Sequence, residues 1–78
     1  MEWTVRAPMA STIVEVTAVP GAAVRAGEPL VIVEAMKMEH ALVAPAAGEI
    51  AEVAAEPGQQ VAEGARLIVL ATGDPAQR

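Results

Sequence analysis

Apolar positions along this chain come in short runs broken by Gly and Pro. Thr12-Ile13-Val14-Glu15-Val16-Thr17 and Glu49-Ile50-Ala51-Glu52-Val53 alternate apolar and polar side chains. That period of two is the signature of a half-buried strand. Pro29-Leu30-Val31-Ile32-Val33 and Arg66-Leu67-Ile68-Val69-Leu70 are apolar throughout. They are too short and too rich in β-branched residues to prefer a helix. Trp3-Thr4-Val5-Arg6 reads as an opening strand. Pro20-Gly21 and Pro57-Gly58 are turn dipeptides. Gly27 and Gly64 each follow six residues later, where a reversal calls for positive φ. The pattern predicts roughly eight short strands, hence a small sandwich or closed barrel.

The pattern also repeats. At an offset of 37, residues 7–35 align with 44–72, and 12 of the 29 pairs are identical. Ala7-Pro8 recurs as Ala44-Pro45, Ile13/Glu15/Val16 as Ile50/Glu52/Val53, and Pro20-Gly21 as Pro57-Gly58. Val24, Gly27 and Leu30 recur as Val61, Gly64 and Leu67, and Ala10 and Ala18 as Ala47 and Ala55. Agreement this dense predicts two copies of one supersecondary unit, related by a quasi-two-fold axis.

One segment resists that reading. Glu34 to Val43 is rich in Ala, Met, Leu, Glu and Lys, and its propensity alone favours a helix. The repeat requires Val31–Glu34 to match Ile68–Ala71, and a helix there would join two β units with no linker. The expectation is therefore two strand ends around a tight turn, with Lys37 exposed at the hairpin tip. That turn lacks the Asn-Gly favoured in two-residue hairpins. A position that breaks its local rule is a candidate for function or strain.

Composition narrows the function classes. The absence of Cys excludes disulfides and Cys-ligated metals and fits a reducing compartment. With one aromatic, Trp3, aliphatics must supply the core. A net charge of −5 with only five cations argues against nucleic-acid or anionic-membrane binding. No apolar run reaches the length of about 18 residues needed to span a bilayer, and no secretion signal is recognised. The expectation is a single domain over residues 1–78, cytoplasmic, with no nucleic acid, membrane or metal as partner. The cations are Arg6, Arg25, Lys37, Arg66 and Arg78, so Lys37 is the only lysine. Met36 and Met38 beside it either cap a core edge or form a flexible apolar contact surface.

Glu34-Ala35-Met36-Lys37-Met38, followed by Glu39-His40, resembles the attachment motif of biotinyl domains, whose core is Ala-Met-Lys-Met. The resemblance runs from about Val5 to Leu70 and includes Ala7-Pro8-Met9 and the Pro-Gly and Gly corners. It implies an all-β flattened β-barrel, or barrel-sandwich hybrid, of two four-stranded antiparallel sheets with quasi-two-fold symmetry. It implies covalent biotin on Lys37, with Glu34, Ala35, Met36 and Met38 as flanking recognition residues. The implied partners are a biotin protein ligase, a biotin carboxylase and a carboxyltransferase. The chain would be a non-catalytic carboxyl carrier, its acceptor unreadable from the carrier itself. The brevity of the segment between the halves, with no room for a thumb loop, resembles the thumbless acyl-CoA carboxylase type. Pro8-Met9-Ala10-Ser11 departs from the family's Pro-Met-Pro-Gly, so the backbone at Ala10-Ser11 is expected to differ.

Three other readings compete. A lipoyl domain shares the implied fold and a hairpin lysine, but its motif is typically Asp-Lys-Ala. An unmodified hairpin adaptor would lack the Met-Lys-Met tip. A self-contained enzyme would have to rely on His40, the only histidine, and Ser11, the only serine, expected as a hydroxyl in an N-terminal loop. Met1 and the polar tail Thr72–Arg78 fit a free-standing carrier.

Overall fold

The computed structural model describes residues 2–72, and every element in it is a strand. In order these are β1 (Glu2–Arg6), β2 (Ser11–Val16), β3 (Ala23–Val24), β4 (Pro29–Ala35), β5 (Met38–Val43), β6 (Gly48–Val53), β7 (Gln60–Val61) and β8 (Arg66–Ala71). They form two four-stranded antiparallel sheets, β1-β8-β6-β3 and β5-β4-β2-β7. This is the expected barrel-sandwich, with the sheets left open rather than closed by a continuous ladder. The helix favoured by local propensity over 34–43 does not form. β4 and β5 meet there in a tight hairpin.

The repeat in sequence is a repeat in space. Adding 37 converts β1–β4 into β5–β8, and it converts each strand pairing of one sheet into one of the other. Register shifts follow the same rule. The irregularity between Ile13 and Glu15 on β2 recurs between Ile50 and Glu52 on β6. These bulges at Val14 and Ala51 correct the simple alternation expected of both strands. Strict period two would place Ile13 and Glu15 on the same face. Burying an unpaired carboxylate in a core carries a heavy desolvation penalty. The extra residue resets the phase: Ile13 is buried, whereas Val14 and Glu15 are exposed.

Neither half owns a sheet. β3 of the first copy pairs with β6 of the second, and β7 of the second with β2 of the first. At each crossing a turn glycine donates its backbone N–H to the opposite half. Gly21 donates to the Ile50 carbonyl at 2.8 Å, and Gly58 to the Ile13 carbonyl at 2.7 Å. Gly27 donates to Ala44 and Gly64 to Ala7, both at 2.8 Å. All four glycines have φ between 85° and 87°, as their positions in the repeat predict. Between the sheets lie Ile13, Leu30, Val31, Val33, Ile50, Leu67, Ile68 and Leu70, all fully buried.

β2 starts beside the hairpin, where Thr12 pairs with Glu34, and runs away from it to Val16. The chain then crosses to Ala23, in a row with Glu49, Ala71 and Glu2. The first and last strands thus meet at the end of the sandwich away from the β4–β5 hairpin. Ser11 departs from expectation. It does not sit in a loop but opens β2, buried, with Oγ donating to the Met9 carbonyl at 2.6 Å. The polar tail over residues 73–78 lies outside the described residues.

Gly48, the counterpart of Ser11, packs against the backbone of β8. A Cβ there would collide with the Ala71 carbonyl oxygen and lie 3.2 Å from Thr72 Cα. Gly48→Ala should therefore cost about 3 kcal/mol through forced backbone displacement. Gly21→Ala meets nothing within 4 Å and should cost only the left-handed backbone penalty, about 1–2 kcal/mol. Urea titrations of the two variants check the difference.

Candidate functional site

The β4–β5 hairpin carries the sequence-predicted residues. Val33 pairs with His40, Glu34 with Glu39 and Ala35 with Met38, leaving Met36-Lys37 as a two-residue loop. A loop this short matches strand twist only if both residues take positive φ, the type I′ pattern. Met36 has φ 55° and Lys37 has φ 63°, and they are the only non-glycine residues with positive φ among those described. For a residue with a Cβ this costs about 1–2 kcal/mol each. The unusual turn chemistry read in the sequence is therefore real strain, imposed by the register of β4 and β5. It also fixes the direction in which the base of each side chain leaves the tip.

Exposure separates the motif residues. Met36 is 84% exposed and Met38 62%. They do not cap the core; they form an apolar surface of flexible side chains on either side of Lys37. Ala35 is buried beneath the tip, so within the motif it contributes packing. Glu34 and Glu39 are exposed and directly opposed. Like charges so placed weaken a ladder slightly, and solvent keeps the cost small. Among the described residues the Lys37 amine has no hydrogen-bond or ion-pair partner. Among the described residues an ion pair joins exposed Arg66 and Glu52 at 3.7 Å, outside the motif.

His40 and Ser11 do not make a catalytic pair. His40 stands half-buried opposite Val33 on an edge strand, the position that Trp3 holds opposite Leu70 in the other sheet. The Ser11 hydroxyl is engaged with Met9. Among the described residues no three His, Cys, Asp or Glu side chains cluster to hold a metal ion. No described helix is long and apolar enough to cross a membrane. Sequence reasoning missed a shallow hollow of about 260 Å³ beside the hairpin, lined by Ala10, Ser11, Thr12, Glu34, Gln60 and Val61. In the sequence it shows only as breaks in the repeat, Ser11 against Gly48, Thr12 against Glu49 and Gln60 against Ala23.

A rigid all-β body with an unpaired lysine on a strained hairpin defines a carrier domain of the biotin/lipoyl type. The chain belongs to that family: the biotin/lipoyl attachment family, described as "Biotin-requiring enzyme", matches residues 3–70. Among solved structures it is similar to part of a single-chain, multi-domain long-chain acyl-CoA carboxylase, with 45% identity, TM-score 0.86 and 97% of this chain covered. It also matches the lipoyl domain of the Azotobacter vinelandii 2-oxoglutarate dehydrogenase complex, at 32% identity and TM-score 0.74, over 85% of this chain and 84% of that one. Urea carboxylase of Kluyveromyces lactis, at 24% identity and TM-score 0.84 over 91% of this chain, shares the fold. The chain spans 8% of the acyl-CoA carboxylase chain and 6% of the urea carboxylase chain. A comparison with curated protein sequences gives no match.

Strain at the tip gives a prediction. Met36→Gly should relieve one left-handed penalty and stabilise the chain by about 1 kcal/mol, or 4–8 °C in melting temperature. Calorimetry of the variant and parent checks it.

Proposed function

We propose that Lys37 is acylated by biotin and that the chain carries a carboxyl group between a biotin carboxylase and a carboxyltransferase. The observation that carries this reading is the chain's only lysine, standing between two exposed methionines on a strained, outward hairpin. The similarity to a long-chain acyl-CoA carboxylase supports an acyl-CoA enzyme as the setting. In this reading residues 1–78 form one carrier domain of the cytoplasm, without catalytic groups of its own.

The residues present fit the group. An amine free of partners is open to a biotin protein ligase, and amide formation removes its charge, taking the net charge from −5 to about −6. Bound biotin supplies a ureido nitrogen that accepts and releases carboxyl groups, and the active sites of the partner enzymes drive that chemistry. The protein's part is mechanical. The left-handed turn fixes the root of the arm, and the lysine stem gives it reach. Tethering raises the local concentration of the carried group at both partner sites, to about millimolar for a short flexible link. Met36 and Met38 adapt to several partner surfaces because their side chains are unbranched and polarizable.

A lipoyl carrier is the second reading, favoured by the 32% identity to a lipoyl domain. The Met-Lys-Met tip supports biotin instead. Co-expression with a biotin ligase, and separately with a lipoate ligase, followed by intact-mass measurement, decides between them. The expected result is one biotin adduct, absent in Lys37→Arg, with the folding stability of that variant unchanged within about 0.5 kcal/mol. A lipoyl adduct, or none, would sink the proposal.

A further inference from the structure

The two halves of this chain share one order of strands, but the row beneath the hairpin carries different side chains in each. There the set Ala10, Ser11, Thr12, Glu34, Gln60, Val61 surrounds an open hollow. Shifted by 37 along the repeat, the same six places hold Ala47, Gly48, Glu49, Ala71, Ala23 and Val24. At that far end Gly48 lies tight against the carbonyl of Ala71. At the hairpin end Ser11 brings a side chain to the same position, and strands β2 and β4 leave space around it. The hairpin end also gains a hydroxyl and a primary amide, Thr12 and Gln60, where the far end has Glu49 and Ala23.

Resting on the proposed biotinylation of Lys37, we infer that this hollow is a dock in which the ureido ring of the carrier's own biotin rests between deliveries. The chemistry is complementary. A cyclic urea offers two N–H donors and one carbonyl acceptor. Thr12 pairs with Glu34 on one side and Gln60 on the other, so hydroxyl, carboxylate and amide lie in one row. Among the described residues none of these three side chains is committed to another partner, whereas Ser11 is held by Met9. The Glu34 carboxylate accepts from the ureido N–H groups. The Thr12 hydroxyl and Gln60 amide donate to the carbonyl, and Val61 offers apolar contact to the thioether ring.

Size and reach agree. A hollow of about 260 Å³ is below the range of drug-sized sites, about 300–1,000 Å³, and suits a small bicyclic fragment. Glu34 is three residues from Lys37, at most about 11 Å between Cα atoms even along an extended chain. An arm of about a dozen bonds of about 1.5 Å each outreaches that distance. A shallow and largely polar dock holds its ligand weakly. This suits a carrier, because a deep site would tax every delivery by the fraction of time the arm stays docked.

The test compares three forms of the full chain by two-dimensional amide NMR: unmodified, biotinylated by a biotin ligase, and acylated on Lys37 with a plain hexanoyl group. Intact mass confirms each adduct. The dock predicts shifts at Thr12, Gln60 and Val61 with biotin that the hexanoyl form lacks, and contacts from ring protons to Val61. Gln60→Ala, an exposed substitution, should reduce the docked population about fivefold, the equivalent of one net hydrogen bond of about 1 kcal/mol. Thr12→Val should act similarly. Shifts confined to 35–38, or equal in the biotin and hexanoyl forms, overturn the dock and leave the carrier reading standing. No mass gain with the ligase overturns the carrier reading and the dock with it.

Discussion

The backbone bond from Gly21 to the Ile50 carbonyl, and its copy from Gly58 to Ile13, hold everything else in place. Each ties a turn of one half to a central strand of the other. Through them the two-residue strands β3 and β7 find partners that their own halves do not provide. Half a chain of this size could not bury a sufficient core alone. The eight fully buried aliphatic side chains come equally from both copies, so the core exists only when the halves interlock. Folding should be all-or-none and dominated by contacts distant in sequence.

That interlocked body is what can hold a strained tip. Two consecutive left-handed residues with side chains are unfavourable in a free peptide. Here Ala35–Met38 and Glu34–Glu39 pairing over-determines the loop, and Thr12 on β2 braces Glu34 from the other side. The strain is paid in small change by the core and yields a fixed root for a long side chain. Stiffness up to Cα and freedom beyond it suit the proposed role of an arm that serves more than one site. The ends of the described sheet, Glu2 and Ala71, lie at the opposite pole.

The quasi-symmetry is most informative where it fails. Trp3 and His40 occupy equivalent edge positions, and Ser11 and Gly48 equivalent starts of β2 and β6. Among the described residues the hairpin end carries a closed turn, two exposed methionines and a polar hollow. Apart from the exposed pair Glu15 and Glu52, the positions shared by the two copies are apolar, proline or glycine and serve the fold.

Much of this was legible along the chain. The offset of 37, the Pro-Gly and Gly corners and the apolar runs identify the all-β class, the two-fold relation and the exposed lysine, because turns and strand faces are local consequences of residue type. The Met-Lys-Met motif points to the proposed attachment site for the same reason: it is contiguous. The sequence could not show that the halves exchange strands, since β3 and β7 are two residues long and carry no periodicity. Nor could it show the bulges at Val14 and Ala51, where burying Ile13 while exposing Glu15 overrides simple alternation. Ser11 as a buried strand residue, Ala35 as packing and the hollow under the hairpin arise from β2, β4 and β7 lying side by side. Those are long-range pairings, and only the folded chain decides which distant residues share a row.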